Sequence, residues 1–195
     1  MTSRREGETS FRDARFLVAL IALALGACAT LPQDHPVYEQ LDADIGVTIA
    51  RVGKPVELYL ETVPSVYTDR FAFIAPFETN QMGTRETFVW IAVPLDPTLA
   101  DTSVPVLEVD GNAVALGTPG RTADSAGLAK SPYKVPAPWS VMFYFKADAD
   151  LIARLGAAQS LMIRMPEPTK AGVVEAQFSL KVADDPRLKE FAARQ

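Results

Sequence analysis

The stretch from Arg70 to Leu95 decides the fold of this chain. "RFAFIAPFE" (70–78) and "ETFVWIAVPL" (86–95) flank the segment "TNQMGTR" (79–85). Both flanking segments are rich in aromatic and β-branched residues, which fit the pleated surface of a sheet. They predict an antiparallel pair of strands near the centre of a β-sheet.

The segments before this pair also repeat with a period of two residues. "VTIARV" (47–52) and "VELYLETV" (56–63) are separated by Gly53-Lys54-Pro55, which is a turn signal. In the second segment the apolar Val56, Leu58 and Leu60 share one face, and Glu57, Tyr59 and Glu61 share the other. This alternation predicts two further strands with one buried face.

A hairpin and a long loop follow the central pair. "PVLEVDGNAVAL" (105–116) carries Asp110-Gly111-Asn112 between apolar pairs, the strongest short hairpin signal in the chain. Residues 117–138 have no period and contain Gly, Pro and Ser throughout. A loop of this length inside a compact domain is generally functional or mobile.

The last third of the chain predicts three strands and two short helices. The strand segments are "WSVMFYFKA" (139–147), "SLMIRM" (160–165) and "VVEAQFSLKV" (173–182). Asp148 is the predicted N-cap of one helix, which has an apolar stripe of Leu151, Ile152 and Leu155 and has Gly156 near its end. Asp185 followed by Pro186 predicts the start of the other helix.

These elements predict a mainly β fold, a β-sandwich-like antiparallel domain with two short helices. The strand–helix–strand run over 139–165 fits either a crossover helix that plugs one end of the sandwich or a single βα unit on a mixed sheet. No internal repeat is visible in the sequence.

The N-terminal segment predicts export and lipidation. Four arginines precede "FLVALIALALGA" (16–27), an apolar run too short to span a bilayer, and small residues follow, as in a secretory signal peptide. "LGAC" (25–28) resembles the lipobox of bacterial lipoproteins and contains the single cysteine of the chain, whereas "ACA" (27–29) fits cleavage by ordinary signal peptidase. The lipobox makes Cys28 the predicted lipid attachment site.

The predicted organisation has three parts. Residues 1–27 form a lipoprotein signal peptide, residues 28–45 a lipidated N-terminus and flexible tether, and residues 46–195 a single domain. In Gram-negative lipoproteins an Asp after the cysteine favours the inner membrane. The resemblance therefore implies that Ala29 directs this chain to the periplasmic face of the outer membrane.

Composition disfavours several classes of function. Without residues 1–27 the chain has 15 basic and 21 acidic residues, and it has no basic cluster. Nucleic acid binding depends on clustered Lys and Arg, so no nucleic-acid partner is expected. Acylation of Cys28, the single cysteine, would leave no thiol to form a disulfide. The sequence also predicts no cofactor.

No motif in the sequence predicts catalysis or a metal site. The single histidine, His35, lies in the predicted tether. "ADSAG" (123–127) loosely resembles a nucleophile elbow but has no strand before it. "DADIG" (42–46) lacks the later ligands of a calcium loop. Paired carboxylates remain as an alternative, since such partners meet only in space.

Two loops predict a candidate binding surface. "NQMGTR" (80–85) and "SPYKVPAPW" (131–139) mix aromatic residues, arginine, proline and amides, and Arg85, Tyr133 and Trp139 are of the residue types favoured as interface anchors. As alternatives, Tyr133 and Trp139 cover the open end of the core, and Arg85 pairs with Glu86 or Asp69.

The chain resembles a family of uncharacterised Gram-negative bacterial lipoproteins in four parts: the lipobox, "LDADIGVTIARV" (41–52), "FETNQMGTRETFVWIAV" (77–93) and "SPYKVPAPW" (131–139). The likeness covers most of the chain after the signal peptide and implies Cys28 as the attachment point, but it implies no activity. The first hypothesis is a non-catalytic lipoprotein that binds an envelope protein or polymer, or supports an assembly. The alternatives are a periplasmic hydrolase that acts on envelope glycan or peptide through carboxylates, and a small-ligand binder with its mouth under the loop 117–138.

Overall fold

The computed structural model describes residues 37–61, 71–94, 103–134, 140–169, 172–181 and 185–195. In chain order the described strands are β1 (Val37–Asp42), β2 (Val47–Val52), β3 (Val56–Leu60), β4 (Phe71–Gln81), β5 (Thr84–Pro94), β6 (Val106–Val109), β7 (Asn112–Val114), β8 (Ser140–Ala147), β9 (Ser160–Thr169) and β10 (Gly172–Lys181). The helices are α1 (Ala149–Ala157) and α2 (Pro186–Ala192), with a short 3-10 helix at Ala123–Ala126. The pairings between these strands are antiparallel, so the predicted mainly β antiparallel class with two short helices is confirmed.

The hairpin of β4 and β5 forms the centre of the sheet, as predicted. The two strands pair from Phe73 opposite Ala92 to Gln81 opposite Thr84, which leaves Met82-Gly83 as a two-residue turn. Both turn residues have positive φ, 51° and 91°, as a type I′ turn requires. This turn geometry fixes the register between the two longest described strands of the sheet.

Met82 is an unfavourable residue for its turn position, and Met82→Asn is expected to stabilise the protein by up to about 1 kcal/mol. Its side chain is fully exposed, so the substitution removes no packing. Asparagine tolerates the left-handed conformation better than methionine does. Urea unfolding measures the change, with Met82→Ala as the matched control that removes the side chain without supplying that preference. Equal stability of the two variants would contradict the prediction.

The sheet divides at β4 into two leaves. Residues 77–80 of β4 pair with β2, while residues 71–74 pair with β3 on the same edge of the strand. The first leaf has the strand order β1-β2-β4-β5-β8, and the second continues from β3 through β10, β9, β6 and β7. The sandwich-like fold is therefore built from one continuous hydrogen-bonded sheet.

The inner faces of both leaves form one buried core. Residues directly opposite each other on paired strands share a face. One such row starts at Val56 of β3 and runs through Ile74, Ile91 and Phe143 of the first leaf. A second row crosses the second leaf through Leu60, Phe178, Ile163 and Leu107. Except for Leu60, which is partly buried, these side chains are 0% exposed, and all belong to one apolar cluster.

The loop after β7 covers the outer face of the first leaf. Gly120 exchanges two backbone hydrogen bonds with Tyr144 of β8, and Ala126, Leu128 and Tyr133 are buried. This explains why β5 and β8 are buried on both faces although the period of two predicts one exposed face. The part of the predicted loop 117–138 that the structure describes is thus packed against the sheet.

The two helices begin as predicted and pack against each other. The Asp148 carboxylate accepts a hydrogen bond from the Leu151 amide at 2.8 Å, and Asp185 accepts one from the Arg187 amide at 2.9 Å. Burial raises the pKa of Asp185, but hydrogen bonds and charge attraction from Arg187 outweigh burial and lower the pKa below its ordinary value. Neither described helix has the length and apolarity needed to cross a bilayer.

The sheet begins earlier than the predicted domain boundary at residue 46. β1 lies within the predicted tether, residues 28–45, and pairs with β2 from Val37 opposite Val52 to Asp42 opposite Val47. Val37 is buried, whereas residues 38–41 are exposed. An edge strand with one fully buried residue has no detectable period, which is why the sequence did not predict it. The tether prediction for residues 28–36 lies outside the described residues.

Candidate functional site

Arg85 is accessible and lies at the end of the sheet next to the Met82-Gly83 turn. Its guanidinium is 3.8 Å from the Glu78 carboxylate, and its side chain is 65% exposed. The predicted alternative partner Glu86 pairs with Lys146 at 2.6 Å, and Asp69 lies outside the described residues. Arg85 lies at the rim of a small polar depression of about 120 Å³. Its ion pair with Glu78 is weak, because the arginine side chain is largely exposed to solvent.

Tyr133 belongs to the core of the covered outer face and is not an accessible anchor. Its side chain is 4% exposed, and its hydroxyl donates a hydrogen bond to the Pro76 carbonyl at 2.7 Å. The ring centroid lies 5.1 Å from that of Trp90. Burial therefore corrects the prediction that Tyr133 is part of a binding surface and agrees with its alternative role as a core cover.

The electrostatics of Tyr133 agree with this structural role. Burial raises the pKa of its hydroxyl far above the ordinary value, and the opposing effects of the Arg51 charge and the Val52 backbone are smaller. The Arg51 guanidinium lies 5.6 Å from the ring centroid. Tyr133 therefore remains a neutral hydrogen-bond donor at any ordinary pH.

A polar cluster lies beneath the same loop. Burial raises the pKa of Tyr144, and the nearby Ser131 and Trp90 side chains lower it in part. Trp90 Nε1 and Ser131 Oγ are buried and make no hydrogen bond within the described part of the chain. Beside them lies an open groove of about 370 Å³, lined by Arg51, Lys130 and Asp44 among others.

The described part of the loop, residues 117–134, fills the space above the sheet. An apolar cavity under this loop would have favoured a small-ligand binder. Tyr133 and Leu128 are buried in that position instead. The neighbouring groove is polar, and Lys130 pairs with Asp44 at 3.9 Å across it. Cys28, His35 and Trp139 lie outside the described residues.

Two exposed aromatic residues on the second leaf form a surface that the sequence did not single out. Tyr59 of β3 lies directly opposite Phe71 of β4, and their ring centroids are 5.3 Å apart with an interplanar angle of 64°. The side chains are 50% and 40% exposed. Large aromatic residues that remain accessible are frequent anchors of interfaces.

Acidic residues flank this aromatic pair along β3. Glu57 and Glu61 are exposed and lie two residues before and two residues after Tyr59, on the same face of an extended backbone. Glu61 accepts a hydrogen bond from the Ser179 hydroxyl of β10. We call the surface formed by Glu57, Tyr59, Glu61 and Phe71 the aromatic–acidic patch.

The alternation in β3 already placed three of these four residues together. Glu57, Tyr59 and Glu61 share the outward face of the predicted strand. Phe71 could not be added from the sequence, because its position beside Tyr59 depends on the register between β3 and β4. The signal for the patch was therefore present but incomplete.

The positions of Glu57 and Glu61 bear on the hydrolase alternative. Four residues of extended backbone put their Cα atoms about 13 Å apart, with Tyr59 between them on the same face. Catalytic carboxyl groups of glycosidases lie roughly 5 to 9.5 Å apart. The two glutamate side chains would therefore have to bend toward each other across Tyr59 to form such a pair.

Among the described residues, no group of three or more His, Cys, Asp or Glu side chains lies close enough together to hold a metal ion. Comparison of the chain with models of protein families, with curated proteins and with solved structures finds no match.

Proposed function

We propose that this protein is a lipoprotein of the outer membrane that faces the periplasm and serves a non-catalytic binding role in the cell envelope. The single observation that carries the proposal is the position of the only cysteine, Cys28, directly after the Leu-Gly-Ala of a lipobox. Each CH2 group of an acyl chain contributes about 0.8 kcal/mol when it is buried in the bilayer. Three acyl chains on Cys28 would therefore make the attachment effectively irreversible.

The early start of the sheet limits how far the domain could lie from the membrane. Eight residues, 29–36, separate Cys28 from the first residue of β1. Fully extended, they span about 26 Å. If β1 were part of the tether, so that the tether extended to residue 44, it would span about 50 Å when fully extended. The proposed anchor would therefore hold the sheet beside the bilayer and favour partners at or near the membrane surface.

The binding part of the proposal is supported by the aromatic–acidic patch. Tyr59 and Phe71 keep about half of their side-chain surface exposed, while the aromatic residues on the outer face of the first leaf are covered by the loop of residues 117–134. Tyr59 lies between Glu57 and Glu61 on this face, so the two carboxylates would have to bend across its ring to act as a pair. A binding module therefore agrees best with the described residues.

Replacement of Cys28 by serine is expected to abolish membrane attachment when the chain is expressed in a Gram-negative host. Mass spectrometry of the wild-type product should show an N-terminal acylated Cys28, and the protein should sediment with outer-membrane fragments. The Cys28→Ser protein should lose both properties, since serine cannot form the thioether. Ala29→Asp is the matched control, which should keep the lipid and move the protein toward the inner membrane. An unmodified product that begins at Thr30 would contradict the proposal.

A further inference from the structure

We infer that the aromatic–acidic patch binds an extended, basic segment of a protein partner, with Lys or Arg at alternate positions. The inference rests on the proposed binding function and names the surface and the chemistry of the partner.

Two regions of one outer face differ in how the chain covers them. Trp90 and Phe71 lie on the same side of the sheet, since the register connects them through alternate residues of β4. The chain covers Trp90 with its own Tyr133, at 5.1 Å between ring centroids. The described residues place no comparable cover on Tyr59 and Phe71, which are 50% and 40% exposed. A partner that covers these two rings would gain the apolar burial that Trp90 obtains within the chain.

The described surface around the two rings carries more acidic than basic side chains. The acidic side chains described on this face of the second leaf are Glu57, Glu61, Glu108 and Glu175. Arg164 pairs with two of them, Glu108 at 2.8 Å and Glu175 at 3.0 Å. Arg187 of α2 attracts Glu57 electrostatically, and Ser179 donates a hydrogen bond to Glu61, but both glutamates are exposed and so remain accessible to a partner. An excess of negative charge selects a cationic partner and repels an anionic one.

The geometry of the two rings and of β3 also favours an extended cationic segment. The rings of Tyr59 and Phe71 are inclined by 64° and so do not form a flat platform for a row of sugar rings. A guanidinium or ammonium group needs only one ring face. Successive outward residues of β3 are about 6.6 Å apart, which is also the spacing of alternate residues in an extended peptide. Basic residues four positions apart would therefore align with the carboxylates of Glu57 and Glu61, and the basic residue midway between them would cross the rings.

The test uses the full chain and two fluorescent peptides of equal charge. One has arginines at alternate positions (Ala-Arg-Ala-Arg-Ala-Arg-Ala), and the other has the same residues with the arginines contiguous, both with blocked termini. We expect the alternating peptide to bind at least threefold more tightly than the contiguous one. The double variant Tyr59→Ala/Phe71→Ala should weaken its binding at least tenfold, and Glu57→Gln/Glu61→Gln should weaken it and reduce its dependence on salt.

Matched controls separate the patch from general acidity and exposed apolar surface. Glu190→Gln removes an exposed carboxylate on α2, and Met82→Ala removes a fully exposed apolar side chain at the far end of β4. Both variants should bind the alternating peptide as the wild type does. Circular dichroism and urea unfolding verify that each patch variant is folded.

Three results would overturn the inference. They are equal binding by the Tyr59→Ala/Phe71→Ala variant, binding of chitohexaose at the patch in preference to the peptide, or concentration-dependent dimerisation that the same variant abolishes. The second would assign the patch to a glycan, and the third to a second copy of the chain. The measurements need no membrane, so their failure is distinct from failure of the Cys28 experiment.

Discussion

Replacement of Tyr133 by alanine is expected to lower the free energy of unfolding by about 3 to 5 kcal/mol, the range observed for buried aromatic side chains. The ring is 4% exposed and lies 5.1 Å from Trp90 between the loop and the sheet, so its removal opens a cavity there. Arg51 would also lose the ring face that its guanidinium contacts. Small domains have total stabilities of about 5 to 15 kcal/mol, so this loss is a large fraction of the whole.

Urea unfolding in a Trp139→Phe background measures this effect and leaves Trp90 as the sole tryptophan. Its native emission should shift to the red in the Tyr133→Ala protein, because water would reach the indole. Tyr133→Phe is the matched control. It keeps the ring and loses the hydrogen bond to the Pro76 carbonyl, at a cost of about 1 kcal/mol. The prediction would be wrong if the emission of the Tyr133→Ala protein did not shift and its free energy of unfolding fell by less than about 1 kcal/mol. The packing of the loop would then not depend on this ring.

The features that could be predicted from the sequence are those set by a few neighbouring residues. The β4–β5 pair follows from its aromatic and β-branched composition. The hairpin of β6 and β7 follows from Asp110-Gly111, both of which have positive φ in the structure. The helix starts follow from Asp148 and Asp185, whose carboxylates accept the expected amide hydrogen bonds.

The features that could not be predicted depend on contacts between distant segments. Nothing local to β4 indicates that its two halves pair with different strands on one edge. The alternation of β8 predicts one exposed face, yet Phe143, Tyr144 and Phe145 are all buried. Phe143 and Phe145 face the core, whereas Tyr144 is buried because the loop 117–134 folds over the outer face. The crossover interpretation of the helix between β8 and β9 fits the described pairings, since β8 pairs with β5 and β9 pairs with β6 and β10.

The candidate site shows the same division. Residue type alone selected Tyr133, but the loop packs its ring against Trp90, and its hydroxyl bonds to the Pro76 carbonyl, 57 residues away in the chain. Alternation placed Tyr59 outward between two glutamates, but type and pattern together could not bring Phe71 beside it. Surface anchors are therefore harder to predict than strands, because exposure is decided by which segments fold back over the sheet.

Gly156→Ala is expected to destabilise the protein, which is the reverse of its usual effect within a helix. Alanine is favoured over glycine in helix interiors by about 1 kcal/mol. At position 156, however, a Cβ would lie 2.5 Å from the Ala192 Cβ and 3.3 Å from the Leu188 carbonyl oxygen. Non-bonded carbon atoms prefer about 3.5 to 4 Å, so α1 and α2 would have to separate. We expect a net loss of about 1 to 3 kcal/mol in urea unfolding.

A double-mutant cycle with Ala192→Gly separates this contact from helix propensity. Removing the facing methyl group should make Gly156→Ala neutral or favourable, so the two changes should couple by at least about 1 kcal/mol. Ala153→Gly, at an exposed position of α1, measures propensity alone and should show no coupling with Ala192→Gly. Stabilisation by Gly156→Ala alone would contradict the close approach of the helices. The helix pair is also connected to the sheet. Arg194, two residues after the end of α2, pairs with Glu39 of β1, the edge strand that follows the proposed anchor.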